Sequence, residues 1–180
     1  MPKVYLVMNK PRGVVTTASD EKGRSNVYDL LEPGLPWVGP VGRLDKASEG
    51  LLLLTSDSEW AARITDPAGQ LDKTYHVQVD RVADDGLLGK ITRGTSVDGH
   101  HLRVKAARVL RRGAKNSWLE ITLDDGKNRH IRRLLQALDV QVLRLVRVAV
   151  GPLQLGDLNK GSVRELVLRE KQAIDRVLRI

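Results

Sequence analysis

Three features of this 180-residue chain predict an α+β fold. Segments of strand character arrive in adjacent pairs with no regular βαβ rhythm, which favours a largely antiparallel sheet. Residues 73–81 alternate Tyr75, Val77 and Val79 against His76, Gln78 and Asp80, the period of a half-buried strand. Residues 128–138 set Ile131, Leu134, Leu135 and Leu138 at i, i+3, i+4 and i+7, the spacing of an amphipathic helix.

The elements follow in order. Val4 to Met8 reads as a strand ending in the turn composition Asn9-Lys10-Pro11-Arg12-Gly13, and Val14 to Thr17 as its return. Val27 to Leu31 predicts a short helix stopped by Pro33-Gly34, and a Pro/Gly-rich loop then leads to Gly42. Leu51 to Thr55 is too apolar for anything but the interior. Asp57 or Ser58 caps a helix over Glu59 to Thr65. A helix is expected over Asp84 to Thr92, and strands over Leu102 to Leu110, Ser117 to Leu123 and Val142 to Val150. Gly151 to Gly161 reads as a loop, Val163 to Leu168 as a strand and Glu170 to Leu178 as a terminal helix. No linker divides the chain, so residues 1–180 are expected to form a single domain.

Composition narrows the function. Hydrophobic residues are 41% and charged residues 29%, as in a soluble globular protein. Thirty Lys and Arg against 22 Asp and Glu give +8 and a pI near 10.0, a surface suited to a polyanion such as nucleic acid. There is no cysteine, so disulfides and thiolate metal sites are excluded. No secretory or transit pattern appears and no apolar run approaches ~20 residues, so the expectation is a soluble cytoplasmic protein. Six aromatic residues and no Phe cannot build the stacking rows of a nonspecific single-strand binder.

Two segments stand out chemically. Gly42-Arg43-Leu44-Asp45 is a glycine-bounded turn that places a carboxylate at the mouth of a core strand. Asp45 there is either a turn residue bonded to its own backbone or to Arg43, or a carboxylate held ready for chemistry. Around 128–138, Arg129, Arg132 and Arg133 lie at i, i+3 and i+4, a basic stripe opposite the leucines. From Lys127 to Arg147 six basic residues face one acid, Asp139, with no Glu at helical spacing to compensate. Tyr75 stands on the apolar register of its strand, where core packing is the default. His100 and His101 are adjacent and point apart on a strand, so a metal site is not expected. No phosphate loop, dinucleotide fingerprint or serine elbow occurs.

Together these segments resemble the RsuA/RluE-type pseudouridine synthases. The resemblance is carried by Leu6-Val7-Met8-Asn9-Lys10-Pro11-Arg12-Gly13-Val14, by Gly42 to Leu52, by Lys73-Thr74-Tyr75-His76-Val77, and by Gly126 to Arg133. It implies an α+β pseudouridine synthase fold: a bent, mixed, mostly antiparallel sheet with flanking helices and two lobes around an RNA cleft. It implies isomerisation of uridine to pseudouridine in ribosomal RNA without cofactor or metal, and the absence of a separate N-terminal RNA-binding domain points to the shorter RluE-like members and 23S rRNA. By position, Asp45 is the catalytic aspartate, Tyr75 the active-site tyrosine and Arg132 the basic partner of Asp45, 87 positions away. The resemblance implies that Arg43 supports the flipped nucleotide or the space it leaves, and Lys73, Lys127, Arg129, Arg133 and Arg144 are expected on the RNA surface. His130 stands where Gln is common. The expected partner is ribosomal RNA or a ribosome-assembly intermediate, met by a monomer. The alternative is a non-catalytic RNA-binding or assembly factor with the same fold, which needs the basic face but not Asp45.

Overall fold

The computed structural model describes residues 2–17, 23, 25–69, 71–124 and 129–180. In chain order its elements are β1 (Tyr5–Lys10), β2 (Gly39–Pro40), β3 (Glu49–Thr55), α1 (Ser58–Thr65), β4 (Lys73–Val79), α2 (Asp85–Arg93), β5 (Thr95–Val97), β6 (His100–Leu102), β7 (Ala106–Arg112), β8 (Ser117–Leu123), α3 (His130–Ala137), β9 (Val142–Val150), β10 (Leu153–Gln154), β11 (Val163–Glu165) and α4 (Leu168–Leu178). Short 3-10 turns occupy Val27–Leu30 and Pro67–Gly69.

One sheet runs β11-β1-β3-β9-β4-β8-β7, with β2 added to β3 and β10 to β9. Every pairing in it is antiparallel except β3 with β9, which touch in parallel only through Glu49–Val146 and Gly50–Arg147. That short contact is a seam between two half-sheets. Gly50 makes it possible: its φ is +110, and a Cβ would collide with the Arg147 carbonyl.

The halves differ in how they are buried. Leu51 and Leu53 pack with Val7, Trp60, Ile64 and Ile174 on one face of β3, while Leu52 and Leu54 pack with Leu6, Met8, Val38 and Leu44 on the other. A strand covered on both faces has no polar register, which explains the unbroken Leu run. Truncating any of these leucines to Ala is expected to cost about 2–5 kcal/mol. In the other half, Val77, Val79, Leu119 and Ile121 meet Leu87 and Ile91 of α2 and Ile131, Leu134 and Leu135 of α3. Its opposite face carries His76, Gln78, Trp118 and Glu120, all partly exposed, so the strands alternate.

Several expectations change. Val14 to Thr17 is not a strand; Val15 makes one isolated bridge to Asn26, and the segment is used instead as a brace described below. The span 102–110 divides into β6 and β7, because Asp98 (φ 50) and Gly99 (φ 79) turn a two-residue hairpin between β5 and β6. The loop 151–161 contains β10, and α4 begins two residues earlier than expected. Arg129 adopts the left-handed conformation (φ 53) ahead of α3, so the helical basic stripe begins at Arg132.

Candidate active site

The loop from Val41 to Ser48 leaves β2 and enters β3 beside the seam. Val41 N–H donates to Leu53 O (2.7 Å), and Leu44 is anchored in the core at 5% exposure. The buried Thr16 hydroxyl donates to Leu44 O (2.6 Å) and lies 3.3 Å from Leu44 N–H as its acceptor. Gly13 N–H donates to Lys46 O (2.7 Å), and Ser48 N–H closes a turn on Asp45 O (3.0 Å). The loop backbone is thus bonded on both sides of Asp45, whose side chain is left 34% exposed. The cleft above it is open, so the carboxylate meets solvent in the free molecule.

Two guanidiniums face Asp45 Oδ2. Arg129 Nε lies at 3.2 Å and Arg132 Nε at 3.8 Å. The 87-residue separation between Asp45 and Arg132 is closed, as the sequence resemblance implied, but the nearer cation is Arg129. The two differ in setting: Arg129 is 57% exposed, whereas Arg132 is 14% exposed and donates to Ser48 Oγ (3.3 Å). Arg132 Nε is buried with no hydrogen-bond partner among the described residues. Burial pulls the Arg132 guanidinium below its ordinary pKa; Asp45 opposes this, and Arg129 and Arg12 add to it. A nearby anion therefore matters to this side chain.

Asp45, Arg129 and Tyr75 line a cleft of about 560 Å³. Tyr75 comes from β4, packs against the α2–α3 core and presents a hydroxyl with no hydrogen bond among the described residues. A core Tyr normally satisfies that hydroxyl. Arg43 and Lys73 also line the cleft, together with Leu53, Ile64, Leu145 and Val150.

Other predicted RNA contacts lie elsewhere. Arg133 faces the β5–β6 hairpin, 3.7 Å from Asp98. Arg144 grips the buried Glu49 through Nε (3.1 Å) and a terminal nitrogen (2.9 Å) and lies over the Trp118 ring. Neither is in the cleft wall. Lys127 lies outside the described residues.

Sequence reasoning missed several supporting side chains. Glu49 is 2% exposed and also takes Lys160 at 2.9 Å. Lys10 is fully buried, donates to Pro11 O (2.9 Å), and is pulled down to about 8 by burial against the opposing charges of Glu49 and Asp45. Thr16, Ser48 and Arg147 complete the set. Ser48 and Glu49 sat inside the most distinctive sequence block; Thr16 and Arg147 carried no local signal. Among the described residues no group of His or acids is arranged to hold a metal.

The fold that carries this braced loop and cleft is that of RNA-modifying isomerases. A crystal structure of a pseudouridylate synthase superposes with a TM-score of 0.83 at 27% identity, covering 96% of this chain and 74% of that one. The family model for RNA pseudouridylate synthase matches residues 4–137, and the chain belongs to that family. Ribosomal large subunit pseudouridine synthase B of Bacillus subtilis is 36% identical over 169 residues, covering 93% of this chain and 69% of the relative. An uncharacterized RNA pseudouridine synthase of Rickettsia prowazekii is 37% identical over 176 residues, 96% of this chain and 73% of that protein. A chain of an H/ACA RNP bound to a substrate RNA shares the fold at a TM-score of 0.58 and 17% identity, covering 83% of this chain and 48% of that one. The protein is an RNA pseudouridine synthase, an enzyme that isomerises uridine to pseudouridine in RNA.

Proposed function

We propose that residues 1–180 form a cytoplasmic, monomeric catalytic domain that converts a uridine of large-subunit ribosomal RNA to pseudouridine, with Asp45, Tyr75 and Arg132 as its catalytic residues. The observation that carries the reading is the position of Asp45: partly solvent-open, held by loop hydrogen bonds, and within 3.2 and 3.8 Å of two guanidiniums. The ribosomal substrate is supported by the name of the Bacillus relative.

In the reaction the bond from N1 of uracil to C1′ of the ribose breaks and a bond from C5 to C1′ forms. The C5 proton leaves, and N1 gains one. Asp45 supplies the carboxylate, whether as nucleophile on the sugar or as the base that deprotonates a sugar intermediate. Arg132 offsets the charge of Asp45 once RNA displaces water from the cleft. Its unpaired Nε needs only a small approach to convert the 3.8 Å ion pair into a hydrogen bond. The Tyr75 ring offers a face for the uracil, and its free hydroxyl a route for the C5 proton. Flipping the base costs a few kcal/mol, met by contacts from Arg43, Lys73 and Arg129 at the cleft.

Pseudouridine mapping of ribosomal RNA from cells with and without the gene tests the substrate; loss of one or more 23S sites is expected. Asp45→Asn tests the site: RNA binding should persist while isomerisation stops. A non-catalytic assembly factor would leave the modification map unchanged in both cases. Sedimentation of the purified protein tests the monomer.

A further inference from the structure

Arg147 is a buried guanidinium that the reaction as described leaves unused. It is 8% exposed, and no carboxylate among the described residues pairs with it. Its Nε donates to Leu51 O (2.9 Å), a carbonyl that falls just beyond the two-residue β3–β9 contact and so lacks a strand partner there. This bond fixes the rotation of the side chain. An arginine carries five N–H donors, so four remain, and none has an acceptor among the described residues. Arg147 lines the cleft beside Tyr75, its register partner on β4, among Leu53, Leu145 and Val150.

The terminal nitrogens of Arg147 are not sealed off, since Arg132 Nε is the one buried polar side-chain atom without a partner among the described residues, so they stay open to an acceptor that enters the cleft. The depth of Arg147 decides which acceptor. Phosphates of an RNA strand stay at the cleft mouth, where the exposed Arg43 and Arg129 stand. The part of the RNA that enters a floor lined by leucine and valine is the flipped base. Uracil presents two carbonyl oxygens flanking one N–H, and a guanidinium donates only.

We propose that Arg147 holds a carbonyl oxygen of the flipped uracil and makes the site specific for that base; this rests on the reading of the Asp45 cleft as the active site. The chemistry of the isomerisation adds a reason. Turning the ring by half a revolution about its N3–C6 axis exchanges N1 with C5 and the 2-carbonyl with the 4-carbonyl. A donor that holds one carbonyl before the rotation meets the other afterwards, so one fixed guanidinium serves both the substrate and the re-attached product. Cytosine presents an amino group in place of one of those oxygens and meets donors with donors.

The test uses in vitro large-subunit rRNA transcripts made with uridine, 4-thiouridine or 2-thiouridine, because a thiocarbonyl accepts hydrogen bonds poorly. Single-turnover isomerisation is followed by mass spectrometry, and transcript binding by filter retention. Wild type should be slowed by roughly tenfold or more on at least one thio transcript, and Arg147→Lys by roughly a hundredfold on the uridine transcript with binding within about threefold. On the sensitive thio transcript Arg147→Lys should show no further slowing. Independent, multiplying losses would overturn the proposal, since a purely structural bond to Leu51 O is blind to the base. Insensitivity of the wild type to both thio transcripts would overturn it without any variant needing to fold. If Asp45→Asn retains turnover, the reading of the cleft fails instead, whatever Arg147 does.

Discussion

The loop entering β3 and the first residue of that strand hold two carboxylates four positions apart that live under opposite conditions. Glu49 is 2% exposed and takes two nitrogens of Arg144 and the Lys160 ammonium at 2.9–3.1 Å, so both of its oxygens are bonded. Asp45 is 34% exposed, presents one oxygen to two guanidiniums at 3.2 and 3.8 Å, and faces a cleft. The completely bonded acid ties together β3, β9 and the segment before β11. The under-bonded acid is free to meet a substrate. A carboxylate already satisfied in the free protein fits a structural task, and one held in place but left short of partners fits the chemical one proposed for Asp45.

This contrast is open to direct attack. Asp45→Asn should lower turnover by at least about a thousandfold. Its stability should change by no more than about 1 kcal/mol, because a partly exposed ion pair contributes little; a parallel loss of stability in thermal melts would erase the distinction. Glu49→Gln should do the reverse. Arg144 and Lys160 are 40% and 54% exposed and regain water, so weakening their bonds to Glu49 should cost about 1–3 kcal/mol, read by urea denaturation, with residual turnover in the molecules that remain folded. Gly50→Ala strikes the seam between the half-sheets, next to Glu49, and should lose both properties together, since its Cβ meets backbone at a positive φ.

Smaller effects sharpen the same comparison. Arg132→Lys keeps a charge near Asp45 but loses the planar fork that reaches Ser48 and Asp45 together, and turnover should drop on the order of a hundredfold with little change in melting. Acid titration should separate the two carboxylates further. Burial raises the Glu49 pKa, but Arg144 and Lys160 outweigh it and hold the carboxyl below its ordinary 4.5. Its folded pKa is thus depressed, so its contribution is present above 4.5 and is lost as pH falls through the lower folded value. Wild type should lose stability there relative to Glu49→Gln.

Lys10 gives the mirror case at alkaline pH. Its folded pKa of about 8 lies below the ordinary 10.5, so between those values the unfolded chain binds more protons. Stability should therefore rise with pH across that window, by up to about 3 kcal/mol relative to Lys10→Met. A flat difference between the two proteins would show that the ammonium is not held at the cost its burial implies.

Legibility in the sequence followed how local each cause was. The strand at 117–123 and the strand at 142–150 appeared with their observed ends, and β4 was correct to within two residues, because a half-buried strand writes its period into the chain. The helix cap at Asp57 was equally local; its Oδ1 accepts from Trp60 N–H at 3.1 Å. The start of β3 was missed because Glu49 and Gly50 look unlike strand interior, and only the approach of β9 makes a glycine and a bonded acid fit there. Val14 to Thr17 failed for the opposite reason. Its β-branched residues suit a strand, but the neighbouring backbone they meet is the Asp45 loop, not a sheet edge.

By itself the sequence determined the α+β class, the burial of Leu51 to Leu54, the amphipathic α3 and, through one distinctive block, the family, and it offered Asp45 as the candidate carboxylate. All of these rest on periodicity or on residues adjacent in the chain. Only the tertiary structure decided which cations surround each acid. It alone set Arg129 nearer to Asp45 than Arg132, joined Glu49 to Arg144 and Lys160, clamped Leu44 with Thr16, and left Arg147 buried beside Tyr75. Those partners stand between 28 and 111 positions apart, and a sequence pattern carries no distance across such a gap. The seam at Gly50 brings them together, since two half-sheets meeting over two residue pairs place the ends of many distant segments around one cleft.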